Sequence, residues 1–342
     1  MLDAELADRR FACLEGCGYC CTFQPEVSGR ELALLRARLA PKPVAVAVGE
    51  GRTYLRLHNQ CGACTLLSRR ACQAYDLRPA HCRYFPFHLH FADETEAYVN
   101  YTCRGVETEP GASLADAFRR SVLDVASAGE IAQHEKLAKE AYGAFTRKAR
   151  RGGVWGSVDA VLARADLANL LTRRGVEDAI RAGGDDADAD GAWDDALDPF
   201  GEDDVTRRPF YLAPDLRWIT FARGDDALQV LAMDEQGALD PVGRIDLQEA
   251  WQDAPADLAP YFARLTKRRL FTGSVYALVD ESEYATSVEQ ATWLRLAEVA
   301  ADLAVRAWVL REMRVAPAAL ADESARFYDS TFLDSPTIGG YL

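Results

Sequence analysis

The spacing of apolar residues changes period along the chain. After Ser28-Gly-Arg-Glu31, Leu32, Leu35 and Leu39 fall on one helical face, and the Ser-x-x-Glu start predicts a capped helix that Pro41 ends. Residues 52–58 alternate with period two and predict a strand. Residues 64–67 and 71–75 read as short strands about Ser-Arg-Arg, and 87–91 with 97–101 as a hairpin about Asp93-Glu94. From 114 to 150 the period is helical, through Phe118, Val122, Val125, Ile131, Leu137, Tyr142 and Phe145; a second helical run covers 158–173. From Arg208 alternation returns. Residues 210–213, 218–223, 228–233 and 242–247, set apart by Pro-Asp, Gly-Asp-Asp and Glu-Gln-Gly turns, predict an antiparallel meander. Helix resumes at 257–270. The clearest helix is 288–314, where Leu296, Val299, Leu303, Ala307 and Leu310 form a core-facing stripe and Pro317 lies beyond the end. Residues 327–342 carry aromatics without a period and read as a tail docked on another element.

This order predicts an α+β chain: a small, loop-rich segment held by metal, then a mainly helical region with an antiparallel β meander. The length of 342 residues suggests about two domains. The expected divisions are 1–110, 111–182, an acidic linker at 183–206, and 207–342. Of the 20 residues from Asp185 to Asp204, 10 are acidic and none is basic, which predicts solvated chain. Within it, Asp186-x-Asp188-x-Asp190-Gly191 looks like a calcium loop. Its twelfth position is Leu197 rather than Glu, so the linker reading is preferred.

The net charge of −14 excludes nucleic acid as the main partner. No apolar run approaches the roughly 20 residues that span a bilayer. The first ten residues lack the apolar core of a signal peptide, and the expected location is the cytoplasm. No dinucleotide fingerprint, phosphate loop or nucleophile elbow appears.

The cysteines are the chemical signal. All 9 lie between Cys13 and Cys103, in a chain of 342 residues. Disulfides suit neither a cytoplasmic chain nor adjacent residues such as Cys20 and Cys21. Cys17-x-x-Cys20, with Gly18 behind the first sulfur, can turn two thiolates toward one metal, and Cys61-x-x-Cys64 with Gly62 repeats the device. The stretch resembles the CxxCxxCC, or YkgJ-like, family of zinc- or iron-chelating or Fe–S proteins. The residues that carry the likeness are Cys13, Cys17, Gly18, Cys20, Cys21, Cys64, Leu67, Cys72, Tyr75, Arg78, Pro79, Cys82, Arg83, Phe85, Pro86 and Cys103. Two features depart from the pattern: three residues separate Cys13 from Cys17 where the family has two, and Cys61 is an additional cysteine.

The resemblance implies a metal or cluster held by Cys13, Cys17, Cys20, Cys21, Cys64, Cys72, Cys82 and Cys103, either zinc or an Fe–S cluster of the [4Fe–4S] kind. Four thiolates on zinc(II) or on a [4Fe–4S]²⁺ core leave a net charge of about −2, which Arg78 and Arg83 beside Cys82 would offset. Histidines 58, 81, 88 and 90 read as partly exposed residues of this region, with His81 the first choice if one of them ligates. The pattern is also similar to that of flagellin lysine-N-methylases. That likeness would imply S-adenosylmethionine-dependent methyl transfer to a protein substrate, with Tyr75, Arg78, Arg83 and Tyr84 lining the site. It is not favoured, because no donor motif accompanies the cysteines. A metal chaperone or store is a third reading, and catalysis stays open.

Overall fold

A computed structural model describes residues 9–49, 51–107, 111–126, 128–184, 188–247, 251–332 and 338–339. The fold is α+β, with short antiparallel sheets among many helices. Its centre is the helix Val288–Glu312, started by a capping box between Ser287 and Gln290. Four helices pack on it most extensively, Arg173–Ala182, Ala189–Leu197, Arg269–Glu281 and Leu320–Asp329, and the short helices Val158–Leu162 and Leu167–Leu170 touch it as well. The central helix is therefore buried on more faces than one stripe requires, and its buried side chains include Thr292 and Arg306. The leucine stripe marks one wall of a helix that is enclosed on several sides.

The meander forms as expected. Strands Phe210–Leu212, Trp218–Arg223, Ala227–Met233 and Leu239–Asp246 pair antiparallel in chain order, with a bulge at Val230/Leu231. The hairpin is Phe87–Phe91 with Thr95–Val99, and Ile338–Gly339 adds a parallel strand to it. The capped helix is Gly29–Leu39, and Glu31 closes its box with Ser28. The strand Arg52–Leu55 pairs with Val46–Gly49.

Several expectations change. The 158–173 run is broken into Val158–Leu162 and Leu167–Leu170, and a separate helix, Arg173–Ala182, follows. The helix expected at 257–270 is two, Ala259–Lys267 and Arg269–Glu281. The described part of the acidic stretch is folded. Asp188 caps the helix Ala189–Leu197 by accepting from the Gly191 amide, and Trp193 is buried against Trp251 and Trp308. Asp190 faces Arg173. Its acids lie outside while Trp193 and Leu197 anchor it, so charge density alone misread it. Residues 185–187, which include Asp186 of the calcium-like sequence, lie outside the described residues, as do 1–8, 333–337 and 340–342 of the segments read above.

One large core runs from the hairpin through the helices to the sheet. A small second core, around Leu35, Leu55 and Leu66, lies under the capped helix. The third matters most for the cysteines. Tyr19, Ala63 and Leu67 from the cysteine-rich segment pack with Leu212, Trp218 and Met233 of the sheet.

Candidate metal centre

The cysteine loops take their shape from neighbouring elements. Gly18 has φ 60°, and a Cβ there would lie 3.0 Å from Leu67 and 3.2 Å from Trp218. Only glycine combines that left-handed turn with so close an approach. The chain then enters a single 3₁₀ turn, Tyr19–Cys21, which sets two thiols side by side. Tyr19 is buried and donates its hydroxyl to the Phe210 carbonyl at 3.2 Å. The Cys64 amide donates to the Cys21 carbonyl at 2.7 Å, which joins the second cysteine group to the first.

Cys72 lies on the hairpin Leu67–Ser68 with Ala71–Cys72. Its turn residues Arg69 and Arg70 both have positive φ. The Glu235 carboxylate, from a turn of the four-stranded sheet, accepts the amides of both. Cys82 lies on the short helix Ala80–Tyr84, whose Ala80 amide donates to Glu31 at 2.7 Å. Cys103 is placed from the far end of the chain. Arg326 donates to the carbonyls of Tyr101 (3.0 Å) and Cys103 (3.4 Å), and Asp329 accepts the Tyr101 amide at 2.7 Å. The Ala12 amide donates to the Gly105 carbonyl, and a Cβ on Gly105 would overlap the Ala12 carbonyl oxygen. That contact holds the Cys13 segment against the Cys103 loop.

These elements gather eight thiols. Cys20 lies within electrostatic reach of each of the other seven. Cys103 also feels Cys13 and Cys17, and Cys82 also feels Cys64 and Cys72. A cavity of about 330 Å³ is lined by Cys13, Cys20, Cys21, Cys64, Cys72 and Cys82. A smaller one of about 70 Å³ is bordered by Cys13, Cys17, Cys20, Cys82 and Cys103. Among the described residues, no three His, Cys, Asp or Glu side chains converge closely enough to hold a single metal ion. The sulfurs ring a space and do not meet at a point.

The electrostatics follow from this crowding. Burial pushes the Cys17 and Cys64 thiols up to about 11, with neighbouring sulfurs adding to the effect. Burial likewise raises Cys13, Cys72, Cys82 and Cys103. Cys21 is raised because it donates its hydrogen to Cys20, and the same bond lowers Cys20. Seven of the eight thiolates are thus disfavoured in the protein alone, through desolvation and like charge. A bound cation reverses both effects.

Arg78 bears on Cys13, Cys20, Cys72 and Cys82, and its guanidinium lies 3.7 Å from the centre of the Tyr75 ring. Tyr75 hydrogen-bonds the Cys13 sulfur. Arg83 borders the smaller cavity and lies 4.0 Å from Glu31. Arg70, which sequence reading passed over, stacks 3.5 Å from the centre of the Trp218 ring; both donate to the Cys17 carbonyl, Arg70 at 3.3 Å and Trp218 at 3.1 Å. Its position directly after a Ser-Arg turn gave no sequence signal for that role.

Cys61 stands apart. Its sulfur is 3.9 Å from the Gly237 carbonyl and borders a different cavity. Cys64 lines the larger thiol cavity and Cys61 does not. Ala63 binds the Glu235 carbonyl, and Gly62 presses on the Gln236–Gly237 backbone, so the two sulfurs face different surfaces. His58 and His81 are partly exposed, as expected, whereas two histidines differ from expectation. His88 and His90 are buried in the hairpin and His81 packs on Phe23; burial holds all three imidazoles toward the neutral form.

No helix among the described residues is long and apolar enough to cross a membrane. No curated protein and no solved structure gives a significant match to the chain. The gathered thiols all fall within one matched segment: residues 12–104 match the CxxCxxCC family model, described as a "Putative zinc- or iron-chelating domain".

Proposed function

We propose that the chain binds an iron–sulfur cluster through Cys13, Cys17, Cys20, Cys21, Cys64, Cys72, Cys82 and Cys103. The observation that carries this reading is that six of these thiols line one cavity of about 330 Å³, while among the described residues no three donors gather within reach of one ion. A single zinc ion asks for four ligands at about 2.3 Å from one point. A polynuclear cluster sets its thiolates apart around a larger body, which suits sulfurs arranged about a space. The thiol-rich set suits either group, so zinc is the reading to be distinguished.

In this role Cys20 is the common ligand-bearing position, with Cys21 beside it on the same turn. Arg78 offsets thiolate charge from the rim of the cavity, and Arg83 supports the Cys82 helix through Glu31. An iron–sulfur cluster, when bound, supplies one-electron transfer or a fixed structural node. The chain's residues hold the sulfurs, limit water at the apolar walls and balance charge. The test is metal content after purification without oxygen. Iron and acid-labile sulfide in comparable amounts, with broad visible absorption, are expected. Colourless protein carrying zinc without sulfide would overturn the cluster assignment.

A further inference from the structure

A second cavity, of about 160 Å³, is lined by none of the eight gathered cysteines. It is bordered by Arg207 and Arg208 from the segment before the sheet, by Asp302 and Arg306 of the central helix, by Thr331, and by Cys61. Its lining places three guanidinium groups against one carboxylate, in a chain whose net charge is −14. Such a concentration runs against the charge of the molecule.

Arg306 is the buried anchor, only 2% exposed. Its Nε and Nη2 face Asp302 at 3.0 and 3.2 Å, and Nη2 also donates to Thr331 at 3.0 Å. Its Nη1 is buried and has no hydrogen-bond partner among the described residues. A buried guanidinium donor without a hydrogen-bond partner is costly, and this guanidinium, stacked 4.8 Å from the centre of the Phe327 ring, belongs to a residue that lines the cavity, so an acceptor admitted beside it would offset the cost. Arg208 adds to this. It donates to the carbonyls of Glu202, Phe221 and Asp203, and its charge reaches Asp204. Arg207 is exposed and 4.0 Å from Asp204.

We propose that this cavity binds a phosphate group through Arg306, Arg208 and Arg207. Planar guanidinium forks match tetrahedral oxyanions, and several of them together favour a doubly charged group. The volume is below the roughly 300 Å³ usual for whole organic ligands, so the group enters either as a free ion or as the phosphoryl end of a larger molecule. This site is independent of the metal centre and does not rest on what the thiols bind.

The experiment is calorimetric titration of the full chain at fixed ionic strength with two probes, inorganic phosphate and phenyl phosphate. Saturable binding of at least one probe is expected, weakened about tenfold or more in Arg208→Gln, where a charge-assisted contact is lost. Arg306→Lys keeps the charge but lacks the fork and should weaken binding as well. If that variant does not fold, Arg208→Gln decides, because its side chain is partly exposed and donates only to backbone carbonyls. Arg147→Gln, on the remote helix Ala128–Arg151, is the control and should bind as the parent does. Phosphate binding as tightly as phenyl phosphate marks a free ion, and tighter phenyl phosphate marks the end of a larger molecule. No saturable binding of either probe, or equal binding by Arg208→Gln and Arg147→Gln, overturns the proposal.

Discussion

The indole nitrogen of Trp218 donates to the carbonyl of Cys17 at 3.1 Å, across 201 residues of sequence. Trp218 is fully buried on the second strand of the sheet, and its ring closes on Gly18. One contact therefore sets the backbone of a proposed ligand and seals the turn that carries Cys20 and Cys21. The cysteine loops are shaped partly by residues far outside the matched segment.

Replacing Trp218 with Phe keeps most of the apolar surface but removes this donor. Arg70 still reaches the same carbonyl, so the loss is partial. A destabilisation of about 1–3 kcal/mol is expected. The folded variant should lose its metal faster to a chelator than the parent protein. The measurement is metal release followed spectroscopically, beside a denaturant melt. Unchanged release with lowered stability would mean that Trp218 supports the sheet alone.

Removing the metal should loosen the cysteine loops more than the helical body. Without a cation, eight crowded thiols return to their disfavoured state, and the small core around Leu35 and Leu55 must hold the segment. Limited proteolysis of metal-free protein should cut within 13–103, while the central helix stays protected. Equal protease resistance in both forms would show that packing against Trp218 and Met233 suffices.

The sequence made the chemistry legible sooner than the architecture. Cysteine spacing, Gly18 and the Arg-Pro segment are local signals, and strand alternation located the sheet. The helix Leu320–Asp329 shows why the rest was hidden. Its Glu323, Arg326 and Asp329 look like solvent-facing residues, yet all three are buried. Glu323 pairs with Arg104, Asp329 with Arg268, and Arg326 binds the Cys103 loop. A charged residue in the core can be read only with its partner, and these partners lie more than 60 residues away in sequence or across the fold. The surroundings of Cys61 were hidden for a similar reason, because they come from the distant turn at Gln236–Gly237.

Acid should weaken the fold through the hairpin. Burial holds the His88 imidazole down to about 3 and His90 to about 4, against an unfolded value of about 6.5. His88 is faced by Arg268, His81 and His90, and it stacks on Tyr98. The native state keeps these rings neutral, whereas the unfolded chain takes up protons below about 6.5. The unfolded state then binds more protons, so stability is full above that value and falls as pH drops toward 3. His88→Phe retains the stack and should flatten this fall, measured by thermal melts across the range at constant metal content. An unaltered slope would assign the acid sensitivity elsewhere.

The ranking among the cysteines is the most discriminating test of the metal centre. Cys20 bears on each of the other seven gathered thiols, and it is the one of the eight whose pKa is lowered. Cys13 is the most exposed of the eight, although its surroundings still desolvate its sulfur, and it is hydrogen-bonded by Tyr75. Cys61 touches a separate turn and borders a separate cavity. The expected order of loss on replacement by serine is therefore Cys20 first, then Cys64 and Cys82, then Cys13, with Cys61 neutral. Serine keeps the volume close to that of cysteine and supplies a much weaker ligand for soft metals, so the fold is disturbed little while the site is tested. Iron, sulfide and zinc counted per chain give the readout. Full occupancy in Cys20→Ser together with reduced occupancy in Cys61→Ser would invert the order. In that outcome the Cys61-x-x-Cys64 unit must swing away from the Gln236–Gly237 turn to bind metal, and the gathering around Cys20 would not be the site.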